Sequence, residues 1–201
     1  MIGSFRHKGL EEIYVTGKTR RIGAGQVGKC ARILQLLEVA TRAEDMNIAG
    51  FRFHRLRAAR NAGRCVGREI TALLSAGWAK TPWRSILKTT ISDRVMKRNG
   101  LPLIHPGEII REDILPSVGL SITAAAKALG VSRQMLHDIL AGRRPLSAVM
   151  CLKVARLFGG SPEVWMRLQA TYDLKKSAQN KKVMERVARI VPLNRAEEAR
   201  A

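Results

Sequence analysis

The chain is poor in aromatic residues and cysteines and has no long apolar run. The scarcity of cysteines and the missing apolar run each argue against a class of protein. Phe, Trp and Tyr make up 4% of the 201 residues. Cys30, Cys65 and Cys151 are far apart and form no CxxC pair, so neither a disulfide framework nor a metal site is indicated, and we expect no cofactor. No run of about 18 apolar residues is present, which argues against a membrane-spanning helix.

Acidic residues are also in short supply. The chain has 16 Asp and Glu against 36 Lys and Arg, a formal net charge of +20 spread over both halves. Such a surplus favours a polyanionic partner, most often nucleic acid, although a merely soluble basic protein is the alternative. The apolar content of 46% is enough for buried cores in one medium domain or two small ones. The N-terminal stretch lacks the apolar core of a signal peptide, so we expect a cytoplasmic protein without a membrane partner.

The motif GAGQVGKC at residues 23–30 matches GxGxxG and falls one residue short of the phosphate-binding GxxxxGK[ST] loop. A phosphate loop follows a buried strand and opens a helix whose amides face the phosphates. The preceding text, VTGKTRRI, is polar and basic, and Cys30 stands where magnesium needs a hydroxyl oxygen. The sequence therefore favours a turn leading into an amphipathic helix over a nucleotide site.

Residues 121–142 predict two capped helices joined by a three-residue turn. Ser121 can cap the first helix, which Gly130 ends, and Ser132 can cap the second, which Gly142 closes. The residues expected between the two helices are Ala126, Leu129, Val131, Leu136 and Ile139. This is the helix-turn-helix pattern, whose second helix enters the major groove of DNA.

Further helices are predicted on both sides of this unit. One begins near Pro106, with an apolar stripe of Ile109, Ile110 and Ile114. Two follow it, capped by Ser147 and Ser161. For the first of them the predicted apolar face is Val149, Leu152, Val154, Ala155 and Leu157. For the second it is Trp165, Leu168 and Tyr172, a stripe expected to form a core or dimer contact. The last helix is expected to run to about Arg189.

The second helix of the helix-turn-helix carries the candidate base-reading residues at its N-terminal end. Arg133 can bind guanine O6 and N7, and Gln134 can bind adenine N6 and N7. Ser132 and the helix N-terminal amides suit a phosphate. His137 either contacts a base or faces solvent. The remaining candidates, which are expected to contact the DNA backbone, are Thr123, Arg143 and Arg144.

Residues 96–180 resemble the HigA antitoxins of the phage-repressor-like (XRE) helix-turn-helix family. The matching text is MKRNGLPLIHPGEIIRED, LSITAAAKALGVSRQMLHDILAGRRPLS and MCLKVARLFGGSPEVWMRLQATYDL. The resemblance implies a five-helix domain that dimerises on a palindromic operator and represses its own operon. It also implies binding and neutralisation of a HigB-type toxin. The expected partners are therefore double-stranded operator DNA, such a toxin and a second copy of the chain.

Residues 1–56 resemble the N-terminal part of HigB, a RelE-like toxin that cleaves messenger RNA on the ribosome. The matching text is MIGSFRHKGLEEIYVTG, ARILQLLEVAT and AEDMNIAGFRFHRL. It predicts a short strand, two helices and a second strand. The family continues with strands rich in Tyr, Phe, Asp and Glu, but the resemblance stops at Leu56. An incomplete sheet exposes an unpaired edge, so this fragment is expected to be loosely folded and inactive.

Residues 57–95 contain two acids, no Tyr and no Phe, and show no persistent period. Read one frame over, the codons of residues 79–92 can encode Glu-Asp-Ala-Val-Glu-Val-Asp-Leu-Glu-Asp-Tyr-His and a stop. That is an acidic, strand-like ending of the kind expected of a HigB-like toxin. We interpret this segment as toxin gene translated out of frame, with Met96 as the start of an overlapping antitoxin gene. A basic interdomain linker is the alternative.

The sequence thus predicts a mainly α protein in four parts. These are a HigB-like fragment of truncated α+β fold (1–56), an out-of-frame linker without regular fold (57–95), a helix-turn-helix DNA-binding domain (96–180) and a basic helical or disordered tail (181–201). The predicted function is a DNA-binding antitoxin and repressor that is not an enzyme. Residual ribosome-dependent cleavage of messenger RNA by the N-terminal half is the alternative.

Overall fold

The computed structural model describes residues 5, 7–51, 53–55, 69–70, 72–74, 89–90 and 100–190, and it is mainly helical, as predicted. The helices are α1 (Lys8–Thr16), α2 (Ala24–Val39), a 3-10 turn (Ala43–Met46), α3 (Pro106–Ile109), α4 (Leu115–Val118), α5 (Ile122–Leu129), α6 (Arg133–Leu140), α7 (Ala148–Phe158), α8 (Pro162–Gln179) and α9 (Lys181–Ala188). The strands are β1 (Phe53–Arg55), β2 (Glu69–Ile70), β3 (Ala72–Leu74) and β4 (Thr89–Thr90).

The strands form two small antiparallel pairs, β1 with β3 and β2 with β4. Strands β2, β3 and β4 lie within residues 57–95, where no regular structure was expected, so that prediction is wrong at these segments. The rest of that stretch lies outside the described residues. A strand of two or three residues needs only extended backbone and a hydrogen-bonded partner strand, so it forms without an alternating apolar and polar sequence pattern. Phe5 and His7 lie outside any strand, and the rest of the predicted first strand is not among the described residues.

Helix α1 ends against the start of the C-terminal half. Gly17 closes it with a positive φ of 74°, and a Cβ atom there would lie 2.6 Å from the carbonyl oxygen of Gly100. The Gly100 N–H in turn donates to the Tyr14 carbonyl at 2.8 Å. Glycine at residue 17 meets two demands at once, a left-handed backbone and close approach of another chain segment.

Helices α5 and α6 have the caps that the sequence predicted. Ser121 Oγ accepts from the Ala124 N–H at 3.1 Å, and Ser132 Oγ accepts from the Met135 N–H at 3.1 Å. Gly130, with a φ of 61°, ends α5. The side chains that fill the space between these helices and the neighbouring core are the predicted ones: Ala126, Leu129, Leu136 and Ile139 are buried, and Val131 packs at the edge.

The helix that starts at Pro106 passes through a π-helical turn, Ile110–Ile114, before it continues as α4. Pro116 has no N–H and its ring crowds the carbonyl one turn earlier, so a regular α pattern cannot pass this point. The predicted stripe of Ile109, Ile110 and Ile114 is fully buried. If α3 to α4 counts as one helix, the chain forms five helices between residues 106 and 179.

His105 caps α3, a role that the sequence analysis missed. Its Nδ1 atom accepts from the Gly107 N–H at 3.0 Å, and its ring meets the Tyr172 ring edge-on at a centroid distance of 4.8 Å. Burial lowers the pKa of His105, and Lys176 acts in the same direction against Asp173. The lowered pKa favours the neutral imidazole, the form whose nitrogen can accept this hydrogen bond.

Residues 7–51 share one continuous core with the C-terminal half, although the first 56 residues were expected to be loosely folded. Met46, Phe51 and Trp165 are fully buried in it. The chain around Ile48 runs antiparallel to Gly159, and the Ala49 N–H donates to the Phe158 carbonyl at 2.7 Å. The apolar side chains of this segment, which an incomplete sheet would leave exposed, are thus buried against helices of the C-terminal half.

Polar contacts reinforce this junction. The Asp45 carboxylate is fully buried and accepts hydrogen bonds from Ser161 Oγ (2.7 Å), Arg167 Nη2 (2.9 Å) and the Thr41 N–H (2.9 Å). Burial alone would raise the pKa of Asp45, but the bonds from Ser161 and from the backbone of Thr41 and Arg42 outweigh it and lower that pKa. The position of the N-terminal segment is therefore tied to the first turns of α8.

A second ion pair joins α2 to the π-helical turn. The Arg32 guanidinium donates through Nε and Nη2 to the two carboxylate oxygens of Asp113, whose side chain is 2% exposed. Nearby, Gln35 Nε2 donates to the Ile104 carbonyl at 3.0 Å. Both contacts connect residues that are about 70 to 80 positions apart in sequence, which no local pattern could reveal.

The buried face of α7 differs from the predicted one. Met150, Cys151, Val154 and Phe158 are buried. Of the predicted face, Val154 is therefore buried and Ala155 is half-buried, whereas Val149, Leu152 and Leu157 are 63%, 58% and 38% exposed. Apolar residues lie on more than one side of this helix, so its periodicity alone could not choose the inward face. Of the predicted α8 residues, Trp165 and Leu168 are fully buried, as predicted, and Tyr172 is half-buried.

Helix α8 stops at Gln179 instead of running on to Arg189. Asn180 adopts an extended conformation, and its Oδ1 atom accepts from the Lys182 and Val183 N–H groups at 3.1 and 3.4 Å. An asparagine that bonds the first free N–H groups starts a new helix, α9, where we expected continuation. The tail is helical over Lys181–Ala188, and residues 191–201 lie outside the described part of the chain.

We predict that Asp45→Ala destabilises the helix-turn-helix together with the N-terminal segment, by about 3 kcal/mol, because it removes a buried acceptor on which donors from both sides of the junction converge. Urea unfolding followed by circular dichroism should show one transition moved to lower urea. Glu44→Ala, in the same turn but exposed, is the matched control and should change the free energy of unfolding by less than about 0.5 kcal/mol. An unchanged transition of the C-terminal helices in Asp45→Ala would contradict the shared core.

Candidate nucleic-acid interface

The buried side of α6 fixes its orientation and leaves its polar side free. Leu136 and Ile139 are fully buried on one face, and the turn before α6 is held by the Val131 N–H, which donates to the Ala126 carbonyl at 3.0 Å. From α7, Lys153 Nζ donates to the Gly130 carbonyl at 3.2 Å. Helix α6 is therefore anchored at its N-terminal turn and along one face, as a helix that reads DNA must be.

The seven residues predicted to contact DNA are exposed. They are Thr123 on α5, Ser132, Arg133, Gln134 and His137 on the N-terminal part of α6, and Arg143 and Arg144 directly after it. Between residues 121 and 147 the sequence has four Lys and Arg against a single acid, Asp138. The exposed face of the helix-turn-helix is thus polar and basic, and the contacts of each residue with DNA stay predictions.

Two of these residues, Gln134 and Arg143, are connected to each other through Asp138, which was not singled out from the sequence. Gln134 Nε2 donates to Asp138 Oδ1 at 3.1 Å. The Arg143 guanidinium donates to the same oxygen through Nε at 3.1 Å and Nη2 at 2.8 Å. The spacing of Gln134 and Asp138, four residues apart on a helix, is the signal from which this contact could have been inferred.

His137 joins this network through Arg143. The Arg143 Nη2 atom lies 2.9 Å from His137 Nδ1. A guanidinium has no acceptor, so the imidazole must accept here and carry its proton on Nε2. Whether His137 contacts a base or faces solvent stays a prediction.

The hydrogen bonds from Arg143 hold the pKa of Asp138 below its usual range, with a smaller contribution from Gln134. The carboxylate is therefore charged at neutral pH. It partly offsets the positive charge of Arg143, whose Nη1 atom is the part of the guanidinium left for another acceptor. Ser132 differs from the other candidates because its hydroxyl already serves as the cap of α6.

The glycine-rich motif at residues 23–30 does not form a phosphate site of the kind that its spacing suggests. Gly23 precedes the first turn of α2, and Cys30 lies within that helix, buried in the core. Burial raises the pKa of the Cys30 thiol. The group that replaces the magnesium-binding hydroxyl thus points into an apolar environment, as the amphipathic-helix interpretation predicted.

Two negative findings apply to the described residues. In that part of the chain no three His, Cys, Asp or Glu side chains are grouped closely enough to hold a metal ion. Among the same residues, no helix combines the length and the apolar character that crossing a membrane requires.

Comparisons with known proteins agree with the helix-turn-helix. A family model described as Helix-turn-helix matches residues 110–165. Virulence-associated protein I of Dichelobacter nodosus is 41% identical over 97 residues, which are 48% of this chain and 87% of that protein. Antitoxin HigA-1 of Vibrio cholerae is 32% identical over 71 residues, 35% of this chain and 67% of its own length.

Among solved structures, antitoxin GraA is 36% identical and matches 47% of this chain and all of its own, with a TM-score of 0.43. Pseudomonas aeruginosa antitoxin HigA with its higBA promoter is 40% identical over 46% of this chain and 99% of its own, with a TM-score of 0.41. The sequence identity of 41% across most of a whole relative, together with the matched domain, assigns the family. The chain belongs to the XRE-type helix-turn-helix family, whose domain it carries at residues 110–165.

Proposed function

We propose that this protein is a sequence-specific DNA-binding antitoxin that represses its own operon, of the HigA type, fused to the remnant of a HigB-like toxin. The observation that carries the proposal is the exposed N-terminal end of α6. Arg133 and Gln134 lie there on a helix whose opposite face is fully buried. The identity to antitoxin HigA-1 across two thirds of that protein supports the antitoxin class.

The roles of the interface residues follow from their chemistry. Arg133 binds guanine O6 and N7, and Gln134 binds adenine N6 and N7. Arg144 and Thr123, at the margins of the helix-turn-helix, bind phosphates and carry no sequence information. Ser132 contributes as a cap that aims the first α6 amides at a phosphate. His137 donates from Nε2 to a base edge or a phosphate.

The protein acts as a homodimer on a palindromic site. One short recognition helix makes too few base contacts for tight selection, and two-fold symmetric half-sites supply the rest. Val149 and Leu152 support this arrangement, because α7 exposes 63% and 58% of these apolar side chains. We place the dimer contact on that face of α7.

The N-terminal segment is the toxin remnant, and residues 57–95 arose by translation of the toxin gene out of frame. The order of two helices followed by β1 at Phe53–Arg55 is that of the resemblance to HigB. The fused remnant has no ribonuclease activity, because the acidic and aromatic strands that complete such toxins are missing from the sequence. The partner in trans is an intact HigB-type toxin.

We predict that substituting a base-reading residue and substituting a backbone-contacting residue affect DNA binding differently. Arg133→Ala or Gln134→Ala should cost about 1 to 3 kcal/mol of binding to the preferred duplex and relax selectivity at one base pair. Arg144→Ala should weaken binding to all duplexes alike and flatten the salt dependence. Fluorescence anisotropy on the preferred duplex and on a shuffled one, at two salt concentrations, separates the two. Equal losses on both duplexes for all three variants would overturn the assignment.

We predict that the two recognition helices of the dimer lie about 34 Å apart, or a multiple of that distance, to match half-sites one helical turn apart. Leu152→Glu should convert the dimer to a monomer in sedimentation velocity at micromolar concentration, because it places charge in an apolar contact. Val15→Glu, on the 58% exposed Val15 of α1, is the control and should remain dimeric. A wild-type chain that is strictly monomeric and binds one half-site would contradict the proposal.

We predict that the 201-residue chain leaves messenger RNA intact in a cell-free translation reaction. Restoring the frame by a single base near codon 57 should yield two proteins. One is a toxin that ends in a Glu-Asp-Tyr-His-like stretch, and the other is an antitoxin that starts at Met96. Message cleavage by the fused chain would refute the inactive remnant. A coding sequence whose shifted frame has no stop near codon 92 would refute the out-of-frame origin.

A further inference from the structure

The acid in the middle of the candidate interface is the feature that DNA binding by itself does not explain. Asp138 is the single Asp or Glu between residues 121 and 147, and its side chain is 22% exposed beside the exposed face of α6. A negative charge close to DNA phosphates weakens attraction for every sequence. Asp138 lowers the affinity for DNA of any sequence, so under the proposed function its side chain must contribute to DNA binding in another way.

Its hydrogen bonds indicate what that contribution is. An ionised carboxylate can only accept, so Gln134 must turn Nε2, and not Oε1, toward Asp138. This fixes the amide orientation that rotation about its last torsion would otherwise leave open. One N–H of Gln134 is then used, while Oε1 and the second N–H stay available, and these two groups are what a bidentate contact with adenine requires.

The same oxygen orients Arg143. Its Nε and Nη2 atoms bind Asp138, and Nη2 also meets His137 Nδ1. The guanidinium plane is thereby held, Nη1 is left for another acceptor, and His137 Nδ1 is kept as an acceptor for Arg143. Gln134 and Arg143, which would otherwise sample many rotamers, are held by Asp138 directly, and His137 is held through Arg143.

We propose that Asp138 is a specificity-determining positioning residue, which holds Gln134, Arg143 and His137 in their DNA-reading orientation without touching DNA. This inference rests on the proposed function. It predicts that loss of the Asp138 side chain has opposite effects on binding to preferred and to unrelated DNA sequences. Removing the side chain should weaken binding to the preferred sequence, because ordering must then occur on binding, and strengthen binding to unrelated sequences, because a repulsive charge is gone.

A structural role of the side chain makes a different prediction. The Arg143 and Arg144 N–H groups donate to the Asp138 carbonyl at 2.9 and 3.2 Å and close the end of α6. These are backbone bonds, which Asp138→Ala leaves in place. If the carboxylate mattered for folding alone, its loss would lower the melting temperature and reduce binding to all duplexes together.

The experiment uses the full chain and two probes, a duplex that the wild-type protein selects from a random-sequence pool and a shuffled duplex of equal composition. Asp138→Ala should bind the selected duplex about tenfold more weakly and the shuffled one more tightly than wild type. Asp138→Asn, which keeps an acceptor for Gln134 but loses the charge, should fall between. Glu185→Ala removes the same charge from the exposed α9 and should leave the ratio of the two affinities unchanged.

A double-mutant cycle tests whether Asp138 acts through Gln134. With Gln134→Ala already present, Asp138→Ala should reduce selected-duplex binding by much less than tenfold. Additive losses, an unchanged affinity ratio or a parallel loss on both duplexes with a lowered melting temperature would each overturn the inference while wild-type selectivity stands. A wild-type chain that selects no sequence would instead refute the proposed function.

Discussion

The buried carboxylate of Asp45 is the contact on which the arrangement of the two halves depends. Taking a charge out of water costs several kcal/mol unless donors replace the water, and here those donors come from both sides of the junction. Thr41 and Arg42 donate backbone N–H groups from just before the 3-10 turn. Ser161, at the N-cap of α8, donates its hydroxyl, and Arg167 on α8 donates Nη2. Because the charge is satisfied only when all of them converge, the N-terminal segment and α8 have one favourable relative position.

This junction leaves the candidate interface on α6 uncovered. Residues 7–51 pack on α8 and on the segment before α5, yet Arg133 and Gln134 remain exposed with that segment in place. The N-terminal segment and the exposed end of α6 therefore occupy different surfaces. A chain of this architecture can retain the helix-turn-helix function while its first half serves as part of the core.

The candidate interface shows how a basic surface acquires selectivity. Positive charge alone attracts every duplex, and only side chains held in fixed orientations discriminate between bases. In α6 the fixed side chains are the ones that meet Asp138, whereas Arg133 at the start of the helix extends from a backbone that Ser132 caps. On the proposed function, selectivity depends on local hydrogen bonding within one helix and its following turn as well as on the total charge.

The amino-acid sequence by itself determined the local features of this protein. Ser121, Ser132, Ser147 and Ser161 cap helices as predicted, because a cap depends only on residues two or three positions away. The exposed face of α6 was predictable for the same reason. Tertiary structure decided the rest: which side of α7 is buried and the burial of Asp45 and Asp113. Those outcomes depend on side chains up to about 120 residues apart, which meet only when packing brings the helices together.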